Sequence, residues 1–226
     1  MADIPNSLLA ALPRKAYQQL ASGLTPVTLV FGEVLYEPDQ PIREVYFPGQ
    51  CLVSLLTLVE GHLALEVGLV GSEGMVGLPL ALGIGVSPVR ALVQGAGPAL
   101  KMSAARFRTE LRASPALQSG LNRFIHAMMG QISQTAGCNR FHMVEARLAR
   151  WLLMTRDRMR SGEFRMTHEF LSHMLGVRRV GVTEAASALQ HRKLIEYSRG
   201  NIKILDNRGL EAASCSCYAA GIPGVR

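Results

Sequence analysis

The segment from Thr167 to Leu205 constrains the fold more than any other part of this sequence. It begins as a short amphipathic helix with Thr167 as its N-cap, continues through a Leu175-Gly176-Val177 turn and resumes as a helix from about Arg178 to Gln190. Glycine in that turn readily takes the left-handed conformation that joins two helices at a steep angle. Small and aliphatic residues on the inward face of the second helix let the two helices approach closely: Val182, Ala185, Ala186 and Leu189.

A hairpin follows the second helix directly. Its strands are predicted at residues 194–197 and 202–205, and Arg199 lies at the tip of the Ser198-Arg199-Gly200-Asn201 turn. Helix, turn, helix and a hairpin with a basic tip are typical of a winged helix-turn-helix. That fold places the N-terminal end of its second helix in the major groove of DNA.

The charge of the chain is concentrated in its second half. Residues 1–110 contain 7 Lys and Arg against 9 Asp and Glu, whereas residues 111–226 contain 17 against 8. A basic half of this kind indicates contact with a polyanion, and nucleic acid is the first candidate. A solvated arginine-rich surface is the alternative that charge alone leaves open.

The first half of the chain has a different pattern. A short amphipathic helix is predicted from Asn6 to Leu20, and short β-branched and aliphatic runs separated by turn residues extend from Thr25 to about Met102. Strands at this spacing without intervening helices indicate an antiparallel sandwich or jelly roll. The predicted strands are Val27–Phe31, Val45–Phe47, Leu52–Val59, Leu63–Val70, Val89–Gln94 and Ala99–Met102, with a tight turn at Glu60-Gly61.

A long helix connects the two halves. Ser114-Pro115 is a favourable helix start, because serine caps the free amides and proline is tolerated at the first helical position. Apolar residues then recur at steps of four, three, four and four, which is the period of a coiled-coil seam. An ordinary helix facing the core of its own chain has the same pattern. We assign the seam to a homodimer interface formed by Leu117, Leu121, Phe124, Met128 and Ile132.

These segments define the expected organisation of an α+β chain. The predicted parts are an antiparallel β-roll at 1–111, a long dimerisation helix with a hinge at 112–143, a winged helix-turn-helix at 144–213 and a tail at 214–226. Residues 144–160 are predicted to be helical, with Trp151, Leu152 and Leu153 on the apolar face. The domain boundary is expected near Gly137–His142.

From about residue 10 to residue 210 the chain resembles the Crp/Fnr family of bacterial regulators, most strongly over Thr167–Leu205. The resemblance implies a cyclic-nucleotide-binding-like β-roll, a dimer helix, a winged helix-turn-helix, and RNA polymerase as a partner. In that family the recognition helix begins with an Arg-Glu pair and has another Arg one turn later, all of which read bases. Arg179 matches the first Arg, whereas Val180 and Glu184 replace the other two residues. The half-site usual in the family is therefore not expected.

The predicted DNA contacts lie on the two motif helices and the wing. Arg178 and Arg179 are placed to bind guanine edges or phosphates. Glu184 either accepts a hydrogen bond from a cytosine amino group or pairs with a neighbouring arginine, and Gly181 allows close approach to the sugar-phosphate backbone. The full set is Thr167, His168, Arg178, Arg179, Val180, Gly181, Thr183, Glu184 and Arg199, with His168 as a phosphate contact.

The β-roll lacks the residues with which family members bind cyclic AMP. Those members place a Glu after a glycine for the ribose and an Arg-Ser pair for the cyclic phosphate. Here Leu78 follows Gly77, and Arg90 is one position away from the phosphate-binding arginine. A displacement of one residue on a strand turns the side chain to the opposite face. We expect no binding of cyclic AMP and leave the effector unidentified.

The four cysteines suggest reduced thiols in a cytoplasmic protein. No cysteine precedes Cys51, so the N-terminal iron–sulfur cluster of the oxygen-sensing branch of the family is not expected. Cys138 and His142 have the spacing to share a metal or haem, but no further ligand is evident, and a packed hinge is the alternative. Cys215 and Cys217 form a redox pair or have no role. We assign no metal and no cofactor.

Other classes of function have less support. The longest apolar stretch, Met75 to Val86, is too short and irregular to span a bilayer, so no membrane partner is expected. No catalytic triad, phosphate-binding glycine loop or catalytic metal cluster is evident, so we do not expect an enzyme. A signalling or adaptor module whose C-terminal domain binds protein is the alternative to a DNA-binding regulator.

Overall fold

The computed structural model describes residues 5–58 and 64–219, and these residues fold into two compact units. One unit comprises the residues through Leu56 together with Gly68–Met129, and the other comprises Thr57–Val67 with the residues from Gly130 onward. Antiparallel sheets in the first unit and mostly helices in the second confirm the predicted α+β class. The predicted turn at Glu60-Gly61 and the last seven residues of the predicted tail lie outside the described residues.

Two antiparallel sheets form the core of the first unit, as the pattern of short apolar runs predicts. In one sheet the strand order is β1-β7-β3, and in the other it is β2-β6-β4-β5. The inner strand β4 is buried along almost its whole length, because it lies between β6 and β5. The strands are β1 Thr25–Leu29, β2 Val34–Tyr36, β3 Glu44–Pro48, β4 Leu52–Thr57, β5 Leu65–Val70, β6 Arg90–Gly95 and β7 Gly97–Ser103.

The single helix predicted at the start of the chain is wrong, because two short helices occupy this region. Helix α1 spans Ser7–Ala10, and α2 spans Arg14–Ala21 with Pro13 as its N-cap. Proline has no amide hydrogen and its ring clashes with the carbonyl four residues earlier, so one helix does not continue through Pro13. A third helix, α3, spans Ala104–Ala113 and is capped by Ser103.

The long helix α4 spans Pro115–Phe141 and starts as predicted, with the Ser114 hydroxyl accepting from the Leu117 amide at 3.2 Å. The predicted dimer seam on this helix requires correction. Four of its residues are buried within the chain itself, and the Phe124 ring lies so close to Gly74 that no side-chain carbon fits at that glycine. The apolar period identified the buried face of α4 without identifying what covers it. The four residues are Leu117, Leu121, Phe124 and Met128, whereas Ile132 is exposed.

The second unit has a winged helix-turn-helix, as predicted. Helix α7 packs against α5 and α6, and three short strands pair in the order β8-β10-β9. Strand β8 was not predicted from the sequence. Across the described part of the chain, every helix is too short or too polar to cross a membrane. The elements are α5 Val144–Met159, β8 Glu163–Arg165, α6 His168–Leu175, α7 Arg179–His191, β9 Ile195–Ser198, β10 Asn201–Ile204 and α8 Asn207–Ala213, followed by a 3-10 turn at Ser216–Tyr218.

Candidate nucleic-acid interface

The turn between α6 and α7 has the conformation that the sequence predicts. The Thr167 hydroxyl caps α6 by accepting from the Phe170 amide at 3.1 Å. Gly176 ends the helix in the left-handed region, at φ 61° and ψ 42°, and its amide donates to the His173 carbonyl. Because a residue with a side chain is strained in this conformation, glycine fixes the point at which the chain turns into α7.

Helix α7 presents two distinct faces. Val182, Ala185, Ala186 and Leu189 are all buried against the rest of the unit, as predicted. The N-terminal end of the helix is exposed: Arg178 is the N-cap, Arg179 is the first helical residue, and the Val180 side chain is 65% exposed. Among the described residues, the side chain of the N-cap Arg178 makes no capping hydrogen bond to the first amides of α7. Free amides at a helix start favour an anionic ligand, and phosphate is the usual one.

Three guanidinium groups of this surface have no carboxylate partner among the described residues: those of Arg178, Arg179 and Arg199. Two other cations of the same unit are neutralised, since Arg192 pairs with Glu145 and Lys203 pairs with Glu163, both at 2.7 Å. Unpaired positive charge is therefore present at the start of α7 and at the tip of the wing.

The wing tip is a two-residue hairpin turn. Arg199 has φ 49° and Gly200 has φ 82°, and positive values at both central residues define the type I′ turn that suits the twist of a hairpin. The Gly200 carbonyl accepts from the Met166 amide at 2.6 Å, directly before the N-cap of α6. This bond holds the tip, with its exposed arginine, beside the first turn of the helix-turn-helix.

His168 is not a free side chain on this surface. Its Nδ1 lies 3.0 Å from the Thr183 hydroxyl, and its ring stacks on the Tyr197 ring. The Thr183 hydroxyl donates its single hydrogen to the Arg179 carbonyl at 3.1 Å, so His168 Nδ1 must be the donor to Thr183. Burial and, to a lesser extent, the charge of Arg179 lower the pKa of His168. The contact geometry indicates that His168 positions Thr183 and the wing, and the phosphate contact stays a prediction. Sequence reasoning missed Tyr197, which gave no signal beyond its place in a strand.

Two further predicted contacts, Glu184 and Gly181, lie away from the buried face of α7. Glu184 has no ion-pair partner among the described residues, which leaves its carboxylate available to an external donor. A side-chain carbon added at Gly181 would meet no atom within 4 Å, and the φ of Gly181 lies outside the left-handed region. Packing of the described residues therefore does not require glycine at this position.

In the β-roll, the residues near the positions with which family members bind cyclic nucleotides are either apolar or already in an ion pair. Leu78 begins a short 3-10 helix at Leu78–Leu82, and its side chain offers no hydrogen-bond acceptor to a ribose. The Arg90 guanidinium pairs with the Glu37 carboxylate at 2.8 Å. These contacts agree with the expectation that the roll does not bind cyclic AMP, which stays a prediction.

Comparison with a family model identifies the C-terminal domain. Residues 146–213 match the Crp-like helix-turn-helix domain, and this range contains the motif helices and the wing described above. A search of curated proteins found no match to the chain.

Solved structures of Crp/Fnr regulators have the same fold as this chain. A regulator of the crp/fnr family from Eubacterium rectale is 16% identical at a TM-score of 0.70, covering 91% of this chain and 96% of the other. A CRP-family regulator from Thermus thermophilus is 17% identical at a TM-score of 0.69, covering 87% and 98%. The c-di-GMP responsive global regulator CLP from Xanthomonas campestris is 14% identical at a TM-score of 0.69, covering 86% and 100%. The family-model match thus confirms the resemblance for the C-terminal domain, and the solved structures confirm the predicted fold.

Proposed function

We propose that this chain is a sequence-specific DNA-binding transcription regulator. Its residues 146–213 match the Crp-like helix-turn-helix domain, and the chain has the fold of Crp/Fnr regulators. The observation that carries the proposal is the group of three unpaired guanidinium groups at the start of α7 and the tip of the wing. A helix end with free amides and unpaired arginines matches the phosphates and base edges of a major groove.

Each side chain of the surface has a proposed role. Arg179 reads a guanine through its O6 and N7 atoms, and Glu184 accepts from the amino group of a cytosine. Arg178, Thr167 and Arg199 contact phosphates, which fixes the register of the protein on the duplex without reading sequence. Thr183 lies beside Arg179, where His168 holds its hydroxyl.

The active form is proposed to be a homodimer that pairs through the exposed face of α4. Ile125, Met129 and Ile132 follow one another at steps of four and three, and Met129 and Ile132 are 63% and 39% exposed. This face replaces the buried seam as the candidate dimer contact, and Ile132 is common to both assignments. A two-fold protein matches a two-fold operator with half-sites one helical turn apart. RNA polymerase is the proposed protein partner.

The β-roll is proposed to respond to an effector other than cyclic AMP or to support the dimer only. A ligand of the roll would act by favouring one arrangement of the two recognition helices over another. The Arg90–Glu37 pair supports this proposal, because a cyclic phosphate would have to displace Glu37 from the guanidinium.

Selection of sites from random duplex DNA with purified, ligand-free protein tests the proposed function. Enrichment of a two-fold-symmetric motif is the expected result. The matched control is the Arg179→Ala chain, which should lose the enrichment of one base pair in each half-site. The proposal would be contradicted if the wild-type protein bound no more duplex DNA than a protein without a basic surface does, at both low and moderate salt.

A further inference from the structure

The fold brings together two pairs of metal-ligating side chains that are far apart in the sequence. Cys138 lies in the last turn of α4, His142 lies directly after this helix, and Cys215 and Cys217 flank the start of the 3-10 turn beyond α8. One ligand atom of each residue lies within 4.8 Å of the ligand atoms of the other three. From the sequence alone, Cys138 with His142 and Cys215 with Cys217 are two separate candidate pairs, and nothing in their spacing predicts the four-residue cluster.

We propose that Cys138, His142, Cys215 and Cys217 bind a single divalent transition-metal ion, with Zn²⁺ the ion that this donor set favours. Three thiolates and one imidazole make a closed tetrahedral site of the kind that holds structural zinc. The site is independent of the proposed DNA-binding function, because none of its ligands belongs to the surface formed by α7 and the wing.

The distances fit one ion. Tetrahedral zinc places two sulfur ligands about 3.8 Å apart and a sulfur and a nitrogen ligand about 3.5 Å apart. Here the Cys138 and Cys215 sulfurs are 3.5 Å apart, and the Cys217 sulfur is 3.5 Å from His142 Nδ1. In an iron–sulfur cluster of two or four irons the four protein ligands are divided among different iron atoms, so ligands on different irons lie farther apart than the 4.8 Å within which these four lie.

The surroundings favour the thiolate form that a metal requires. Arg147 and Arg150 are buried, and neither has a carboxylate partner among the described residues. The Arg147 guanidinium donates to the Asn139 side chain and the Arg150 guanidinium donates to the Thr135 hydroxyl, so both positive charges lie beside the last turns of α4, where Cys138 is. Negative charge on the cluster would offset two buried guanidinium charges, which is otherwise costly in a protein interior.

A second layer of contacts orients the ligands. Gln134, one turn before Cys138, donates its Nε2 hydrogen to the Cys217 sulfur at 2.8 Å. Arg147 donates to the Asn139 side chain at 2.7 Å and to the Leu175 carbonyl at the end of α6. Hydrogen bonds of this kind to ligands and their neighbours tune metal affinity. Arg147 thereby joins the residue that follows Cys138 on α4 to the end of α6.

Metal content of the full chain, purified under reducing conditions without an affinity tag, tests the proposal. Elemental analysis should find one zinc per chain, and replacement by Co²⁺ should give the intense visible absorption of tetrahedral thiolate coordination. The variants Cys138→Ser, His142→Ala and Cys215→Ser should each lose the bound ion. Cys51→Ser is the matched control, because Cys51 is buried in the other unit and is not one of the four clustered residues.

A variant outside the four ligands tests the site by its metal affinity, without removing a ligand that the fold could require. Gln134→Ala should keep the metal but bind it about 10- to 100-fold more weakly, as measured by competition with a chromophoric chelator. Three results would overturn the proposal. The first is a folded, reduced chain that holds no stoichiometric metal even after addition of Zn²⁺ or Co²⁺. The others are a Cys138–Cys215 disulfide in the chain purified under reducing conditions, and iron with inorganic sulfide in place of a single ion.

Discussion

The rings of His168 and Tyr197 are stacked, with centroids 4.3 Å apart and planes inclined by 16°. The contact joins the first residue of α6 to strand β9, and so holds the wing against the start of the helix-turn-helix. Tyr197 adds a hydrogen bond from its hydroxyl to the Met166 carbonyl at 3.3 Å. The same histidine reaches Thr183 on α7, so one side chain contacts all three elements of the proposed DNA surface.

This arrangement predicts that the domain loses stability in mild acid. His168 Nε2 is buried and has no hydrogen-bond partner among the described residues, so a proton added there gains no acceptor. The folded pKa of His168 lies below the ordinary value of 6.5, and the unfolded chain therefore binds the proton first. The contribution of His168 to the free energy of unfolding is complete above pH 6.5 and decreases as pH falls from that value through the folded pKa. Chemical denaturation between about pH 5 and 7.5 measures it.

His168→Phe separates this effect from general acid sensitivity. Phenylalanine keeps a ring on Tyr197 but has no titrating nitrogen, so the variant should depend less on pH over that range. His191→Gln is the control, since His191 is exposed at the end of α7. A variant with the wild-type pH dependence would show that His168 does not cause the effect.

Arg179→Ala should affect specific binding more than nonspecific binding. Loss of a bidentate contact to guanine costs about 1–3 kcal/mol on the preferred site and relaxes discrimination at one base pair. Titration of the variant against the selected site and against sites substituted at each position measures both quantities. Equal losses on the selected site and on random duplex would remove the base-reading role.

Arg199→Asn should weaken binding to all duplexes alike. Asparagine tolerates the positive φ that this turn position requires, so the change removes the charge without adding backbone strain. One lost phosphate contact should reduce the slope of log affinity against log salt concentration by about 1. An unchanged slope together with a change at a single base pair would assign Arg199 to base reading instead.

Residue patterns predicted the helices, strands and buried faces of both units more successfully than they predicted which surfaces those faces pack against. The buried face of α7 was evident from the spacing of Val182, Ala185, Ala186 and Leu189, because the helical period alone assigns residues to a face. The same reasoning identified a buried face on α4 but assigned it to a second chain, since a period does not identify the covering surface. Strand β8 has three residues, too few for an alternating pattern, and was missed.

The contacts that sequence reasoning missed are long-range. Cys138 and Cys215 are 77 residues apart, and only the folded chain brings the sulfurs together. The stacked rings of His168 and Tyr197 likewise belong to different elements, and the number of residues between them does not follow a helix or strand period that would predict the contact. By contrast, Thr167 as an N-cap and Gly176 as a left-handed helix end were predictable, because both roles depend on the local chemistry of one residue.

Gly181→Ala should stabilise the protein and weaken its binding to DNA. The added carbon meets no atom of the described residues, and alanine favours a helix over glycine by roughly 0.5–1 kcal/mol. If Gly181 allows close approach to the sugar-phosphate backbone, the methyl group obstructs it. Thermal unfolding and DNA titration measure the two effects. Ser187→Ala, at an exposed position farther along α7, is the control. Undiminished affinity of the Gly181→Ala chain would show that the duplex does not approach this position closely.

The exposed face of α4 should determine whether the chain dimerises. Replacing both Met129 and Ile132 with Asp places charge on side chains that are exposed in the single chain, so the fold should survive while the dimer dissociates. Leu121→Asp should instead unfold the first unit, because Leu121 is fully buried. Ser119→Asp, on another exposed side of the same helix, is the control and should remain dimeric. Sedimentation velocity gives the mass, and circular dichroism reports folding. A folded Met129→Asp, Ile132→Asp chain that keeps the mass of a dimer would locate the interface elsewhere.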